Sequence, residues 1–339
     1  MRSLVLDAPG QVSWYEAPEP DLLEPTDALV RPLAVALCDL DGPIVQGRTP
    51  FPPPIHLGHE AVARVEAAGP AVERFAVGDV VCVPFQISCG TCDRCARGLT
   101  GSCRSTRGTS MYGFGAAGGA WGGMLSDLAR VPWADHMLVR VPDGVDPVSV
   151  ASVADNVPDG WRTVAPALRA RPGADVLVLG GGAPSVGLYA VAAARALGAG
   201  TIDYLDTDPH RLAIASDLRA NPVEGEVPER AERTYPITVD AGSSRSSVAC
   251  ALRSTSEAGT CTSVGIVFGD AEVPLLDMYL RGVTFHIGRA HARASMEDVL
   301  ALVGTGDLRP ELVTDSVRPW EEAPDVVVEE GHTKVVLAR

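Results

Sequence analysis

Residues 175–198 read DVLVLGGGAPSVGLYAVAAARALG, and this stretch decides the fold. Asp175–Leu179 is a mostly apolar run of strand length, broken by three glycines and a proline. The LYAVAAARAL that follows is Ala-rich and helical, with Gly198 just past its end. A strand, a glycine-rich turn and a helix in this order aim backbone N–H groups and the helix dipole at one point, which suits a pyrophosphate. Thr201–Leu205 is a second strand ending at Asp206, 19 residues after Gly187, where an acidic side chain takes the adenosine ribose hydroxyls. The candidate cofactor-binding residues are Gly180, Gly181, Gly182, Ser185, Val186, Gly187, Asp206 and Arg211. The turn departs from the usual fingerprint: GxGxxG read onto Gly182–Gly187 puts Pro184 where the middle glycine belongs, so Gly180 and Gly181 re-route it. Asp206 also has a plainer reading, as a helix N-cap. Residues 207–211, TDPHR, place no base directly after the acid. That favours NAD over NADP, whose extra phosphate the carboxylate would repel.

Outward from this unit the texture is consistent on its C-terminal side. Tyr235–Val239, Thr260–Val264 and Val283–Ile287 read as strands, with a helical stretch at Ser246–Arg253, so a parallel sheet with crossovers is expected. A helix near Ala294–Val303 and a last strand at Lys334–Ala338 follow. Residues 1 to about 150 differ. They break into short strands such as Ala28–Ala36, Glu60–Ala67 and Asp79–Pro84, punctuated by Pro and Gly. The expected organisation is a β-rich domain over 1–150, an α/β nucleotide-binding domain over 151–288, and a return to the first domain over 289–339. Residues 108–123 hold seven glycines and read as a mobile or tightly turning loop, a connector or a substrate lid.

Cys89, Cys92, Cys95 and Cys103 lie in CGTCDRCARGLTGSC. Four thiolates at such spacings can close a tetrahedral shell around one zinc ion, leaving no position for water or substrate, so this metal is structural. Disulfides or free core thiols are the alternative. Cys38, Cys82, Cys250 and Cys261 show no paired pattern. A net charge of −15 argues against nucleic acid or an anionic membrane as partner. The basic residues are arginines apart from Lys334, which speaks against a lysine nucleophile. With no signal peptide or transmembrane run legible, and with unpaired thiols, a reduced cytoplasmic setting is expected.

GHEAVARVEAAGPAVERFAVGDVV (58–81), the four-cysteine lobe and the later βαβ unit together resemble the zinc-dependent medium-chain alcohol dehydrogenases. The likeness runs in the same order along essentially the whole chain. It implies a GroES-like catalytic domain, a Rossmann domain, and hydride transfer between NAD(P) and an alcohol or carbonyl carbon at zinc. By motif it implies Cys38, His59 and Asp155 as ligands of a catalytic zinc, Glu60 as the acidic neighbour behind it, and Phe85 as a pocket-lining aromatic. Two zinc ions per subunit follow, one structural and one catalytic, with NAD preferred and NADP as the second option. Alcohols, aldehydes or ketones are the implied substrates, and a homodimer or homotetramer the implied assembly.

Two further departures bear on the chemistry. Leu40 stands where the family has a Ser or Thr hydroxyl that passes the alcohol proton onward, and Asp159 stands where a Thr commonly meets the nicotinamide. Asp159, Asp41 or a water chain must then carry the proton, or the chemistry runs slowly. Asp159 as general base and Asp159 as a helix cap are equal readings. A reductase of activated C=C bonds on the same fold, or a non-catalytic nucleotide- and zinc-binding protein, are the competing functions.

Overall fold

The structure is a computed structural model that describes residues 1–106 and 109–339. The chain forms two compact units, Met1–Pro158 with His291–Gly306 and Thr314–Arg339, and Asp159–Ala290 with Asp307–Val313. The first unit therefore keeps residues 151–158, and 307–313 go with the second. The reason lies in local bonding: Phe85 N donates to Ala154 O (3.2 Å), and Cys82 Sγ to Val150 O (3.7 Å).

The first unit is built on a seven-stranded sheet. Its order is Ser316–Pro319, Val335–Ala338, Ala28–Ala36, Glu60–Ala68, Val80–Val83 and Val139–Arg140, with Ala129–Val131 pairing Ala28–Ala36 off that path. All pairs are antiparallel except that of the two C-terminal strands. Ala28–Ala36 alternates buried and half-buried residues as far as Leu33 and is wholly buried from Ala34. Its ladder to Glu60–Ala68 shifts between Pro32 and Ala34, where Pro32 has no N–H to donate. The fully buried end of the strand leads into Leu37 and Cys38, and Glu60 opens the neighbouring strand directly after His59, so one end of this central strand pair delivers both residues.

The second unit holds a six-stranded parallel sheet ordered Asn221–Glu224, Ile202–Asp206, Val176–Leu179, Tyr235–Asp240, Thr255–Ser263 and Thr284–Ile287. By chain position this is 3-2-1-4-5-6, the doubly wound Rossmann order. Val176–Leu179 and Ile202–Asp206 are buried throughout, as strands covered on both faces must be. The fifth strand starts at Thr255, five residues earlier than its apolar texture suggests, because TSEAG is polar and small. The helix Pro184–Ala196 ends as expected, with Gly198 at φ +74°. Ile266, Phe268, Leu275, Leu276, Tyr279, Leu280 and Ile287 are each at least half exposed, and the helix Leu275–Arg281 buries none of its residues. Among the described residues, no helix is long and apolar enough to cross a membrane.

Candidate active site

Cys38, His59, Glu60 and Asp155 converge in the first unit, each with one donor atom within 4.8 Å of those of the other three. Cys38 follows the strand Ala28–Ala36 and is fixed by its backbone N–H, which donates to Asp41 Oδ2 at 2.8 Å. Asp155 ends the 3-10 segment Pro147–Ala154, and its Oδ2 lies 3.5 Å from His59 Nε2. Asn156 Nδ2 donates to Cys38 Sγ (3.4 Å) and to Asp155 Oδ2 (3.3 Å), holding both in register. Asp41 Oδ1 stands 3.6 Å behind His59 Nδ1, longer than a hydrogen bond.

His59 is fully buried, and neither ring nitrogen has a hydrogen-bond partner. Burial alone would lower its pKa, but Asp41, then Asp155 and Glu60, raise it to about 9. Burial also pushes the Cys38 thiol well up, with Asp155, Glu60 and Asp41 adding to the effect. A thiol, an imidazole and a carboxylate gathered around orphaned nitrogens, in a field of three acids, call for a cation. The N, S and O donors fit zinc.

Lys334 is the counterion on the protein side. Its Nζ donates to Leu37 O (2.7 Å), Asn156 Oδ1 (2.6 Å) and Glu60 Oε1 (2.9 Å), with both side chains of the Lys–Glu pair wholly inaccessible. Burial raises the Glu60 pKa to about 8, against the pull of Lys334. Three phenyl rings wall the cluster. Phe114 lies 5.0 Å and Phe85 5.8 Å from the His59 ring, and Phe51 packs edge-on against Phe114 at 5.3 Å. Leu40 is only partly buried and packs against the same core. Phe114 comes from the glycine-rich loop, which packs closely at 110–114, Gly118 and Gly123 and is exposed at Ala116, Gly119, Ala120 and Gly122; a side chain on Gly123 would collide with the carbonyls of His56 and Leu57. Gly108 lies outside the described residues.

Cys89, Cys92, Cys95 and Cys103 likewise gather within 4.8 Å, and all eight cysteines are free thiols. Cys92 N donates to Cys89 Sγ, Cys95 N to Cys92 Sγ, Cys89 N to Cys103 Sγ and Arg104 N to Cys92 Sγ, at 3.4–3.5 Å. Burial raises the Cys89 thiol, but hydrogen bonds from Ser105, Thr91 and the Cys92 backbone bring it down to about 5. Such N–H donation stabilises thiolates, the form that ligates metal.

In the second unit the glycine turn spans Gly180–Ala183 and the helix starts at Pro184, where a missing N–H costs nothing. This accounts for the proline in the fingerprint. Gly182 N and Ala183 N donate to Gly242 O (3.2 Å) and Ala241 O (2.8 Å), tying the first turn to that after the fourth strand. Gly187 faces Ala241, where a Cβ would come within 3.1 Å of the Ala241 Cβ, and Ser185 and Val186 are buried. Asp206 ends its strand, and Arg211 Nη1 lies 3.7 Å from its Oδ2. The base that is missing directly after the acid is thus supplied one helical turn later. Asp159 lies in the first turn of Asn156–Ala170, and Arg162 Nε holds its Oδ1 at 2.5 Å.

Residues 24–143 match the model of the alcohol dehydrogenase GroES-like domain. A probable zinc-binding alcohol dehydrogenase of Mycobacterium tuberculosis, Rv1895, is 32% identical over 95% of this chain and 83% of its own. The chain belongs to the zinc-dependent medium-chain alcohol dehydrogenase family. A zinc-type alcohol dehydrogenase B of Aspergillus flavus is 26% identical over 95% of this chain and 77% of its own. The solved alcohol dehydrogenase TADH of Thermus sp. ATN1 superposes with a TM-score of 0.91 at 31% identity, covering 100% of this chain and 99% of that one.

For this member of the dehydrogenase family, sequence reasoning missed Asn156, Phe114, Phe51 and the role of Lys334. Asn156 was open to detection as a polar neighbour of Asp155. Nothing in the sequence joins Lys334 to Glu60, 274 positions away.

Proposed function

We propose that this chain is a zinc-dependent dehydrogenase that moves hydride between NAD(P) and an alcohol, aldehyde or ketone. The observation that supports it most is the convergence of Cys38, His59 and Asp155 with both imidazole nitrogens unpartnered. Zinc held by these three residues supplies Lewis acidity toward a substrate oxygen, and a nicotinamide supplies the hydride chemistry. The remaining work belongs to the protein. Asn156 orients the thiol and the carboxylate, while Asp41 behind Nδ1 favours the tautomer that leaves Nε2 free to ligate. Lys334 balances Glu60, and the three phenyl rings limit water at the reacting carbon. Leu40 offers no hydroxyl, and Asp159 is engaged by Arg162, so we assign the substrate proton to a water chain.

The four-cysteine lobe is assigned a second, structural zinc. We assign the exposed apolar strip 266–287 to a second copy of the chain: the edge strand Thr284–Ile287 and the unburied helix Leu275–Arg281 offer a self-complementary, two-fold interface. Free thiols and thiolate metal sites suit the reducing cytoplasm. Metal analysis should give about two zinc ions per chain, and about one in Cys38→Ala. A panel of primary alcohols, secondary alcohols and polyols with NAD and NADP should show turnover. A wild-type ratio of one that Cys38→Ala leaves unchanged, or no turnover of any alcohol, would overturn the reading.

A further inference from the structure

The four-cysteine lobe has no apolar core of its own. Besides the cysteines, the apolar side chains of residues 89–105 are Ala96, which is exposed, and Leu99, which is half-buried. Its hydrophobic cluster is Cys89, Cys95 and Cys103, with Cys92 and Trp133 packed against them. A segment built this way closes around its metal and loosens when the metal leaves.

Both arms that leave the lobe lead to the catalytic cluster. Cys89 is four residues after Phe85, and Cys103 is seven before Ser110. The arms pair as a short antiparallel ribbon: Ile87 N donates to Ser110 O (2.9 Å), Tyr112 N donates to Phe85 O (3.0 Å), and Gln86 stands opposite Met111. The far end of the ribbon backs two of the catalytic ligands. Phe85 N donates to Ala154 O (3.2 Å), the residue before Asp155. A Cβ on Gly113 would lie 2.9 Å from Gly58 O and 3.0 Å from the Cβ of His59, so the second arm rests against that ligand. The lobe closes the near end, where Cys89 N donates to Cys103 Sγ at 3.4 Å. Ser88 is also held from the side, its N–H by Met137 Sδ (3.2 Å) and its Oγ by His136 Nε2 (2.9 Å). That anchor is not independent of the lobe, because the His136 ring lies on Gly90, where a Cβ would come within 2.5 Å of it.

Resting on the two-metal reading above, we infer that the lobe is a positioning element for the catalytic cluster. A metal held by the four cysteines tightens the ribbon, and the ribbon holds His59 and Asp155 where they can share a second ion with Cys38. Occupancy of the lobe therefore raises the affinity of the catalytic ligands for metal by about tenfold, an ordinary strength for coupled sites. Linkage makes the effect reciprocal: metal at the catalytic cluster tightens the lobe by the same factor.

The test compares overall binding constants. Zinc uptake at buffered free-zinc concentrations is measured by atomic absorption in three proteins. These are the wild type, Cys38→Ala, which keeps the lobe site, and Cys92→Ser with Cys95→Ser, which keeps the catalytic one. The wild-type constant for taking up two ions should exceed the product of the two single-site constants by about tenfold. A wild-type constant equal to that product overturns the inference and leaves the lobe an independent structural knot. A second measurement requires no change in the lobe. In Cys38→Ala, added zinc fills the lobe, and hydrogen exchange at the amides of Phe85, Ile87 and Tyr112 should slow. Unchanged exchange at these amides also overturns the inference. If Cys38→Ala takes up no zinc, the two-metal reading itself fails, and the inference with it.

Discussion

Replacing Lys334 with Met removes the ammonium from a fully buried ion pair while keeping most of the side-chain volume. Its three N–H bonds, to Leu37 O, Asn156 Oδ1 and Glu60, disappear together. Breaking one side of a buried pair generally costs about 3–5 kcal/mol, because the remaining charge is left without compensation. Here Glu60 has an escape. Burial pushes its pKa up against the pull of Lys334, so losing the lysine drives the carboxyl further toward its neutral form. The cost should then fall near the lower end, about 3 kcal/mol. For a unit of about 200 residues, at about 2–4 °C per kcal/mol, the melting temperature should drop by roughly 6–12 °C. Differential scanning calorimetry of metal-free and zinc-loaded protein measures this directly. Adding Glu60→Gln to Lys334→Met should recover part of the loss, since no buried charge is then left unpaired, although Leu37 O and Asn156 Oδ1 still lack their donor. A drop under about 2 °C refutes the reasoning. A double variant as unstable as the single one would show that packing, not charge, sets the cost.

Asp159→Asn should change alcohol oxidation by less than about threefold, because Arg162 already engages that carboxylate; steady-state rates across pH measure it, and a loss of about 10²-fold or more would restore Asp159 as general base. Ile287→Asp combined with Leu276→Asp should turn a dimer into a monomer in light scattering after gel filtration, with zinc content unchanged. A monomeric wild type would remove the interface.

The parts of the molecule that rest on local periodicity were legible in the sequence. Ala28–Ala36 is a strand over its full predicted length, and the expected strands of the parallel sheet fall within a residue or two of their apolar runs apart from the fifth, while the exposed edge strand Asn221–Glu224 (NPVE) was missed because it has no apolar run. Four cysteines within fifteen residues read as a metal lobe because a short chain segment can close on one ion. Cys38, His59 and Asp155 were reachable only through family resemblance, since sheet pairing and a 3-10 turn, not spacing, bring them together. Phe114 was hidden in a run of glycines whose tight packing shows only in three dimensions. Arg211 was visible as a residue, but its turn back toward Asp206 depends on the geometry of the helix Pro209–Asp217.

The strand Val335–Ala338 sits inside its sheet, between Ser316–Pro319 and Ala28–Ala36, and brings Lys334 with it. On a ribosome adding 5–20 residues per second, roughly 14–55 s separate the emergence of Glu60 from that of its partner. Through that interval the early strands have an open seam and the metal-binding cluster an excess of negative charge. The first unit is therefore begun first and completed last, after the whole of the second unit has been made. Metal arriving early would find ligands without their counterion, and a chain cut before residue 334 would leave the seam open as a sticky edge for another nascent chain.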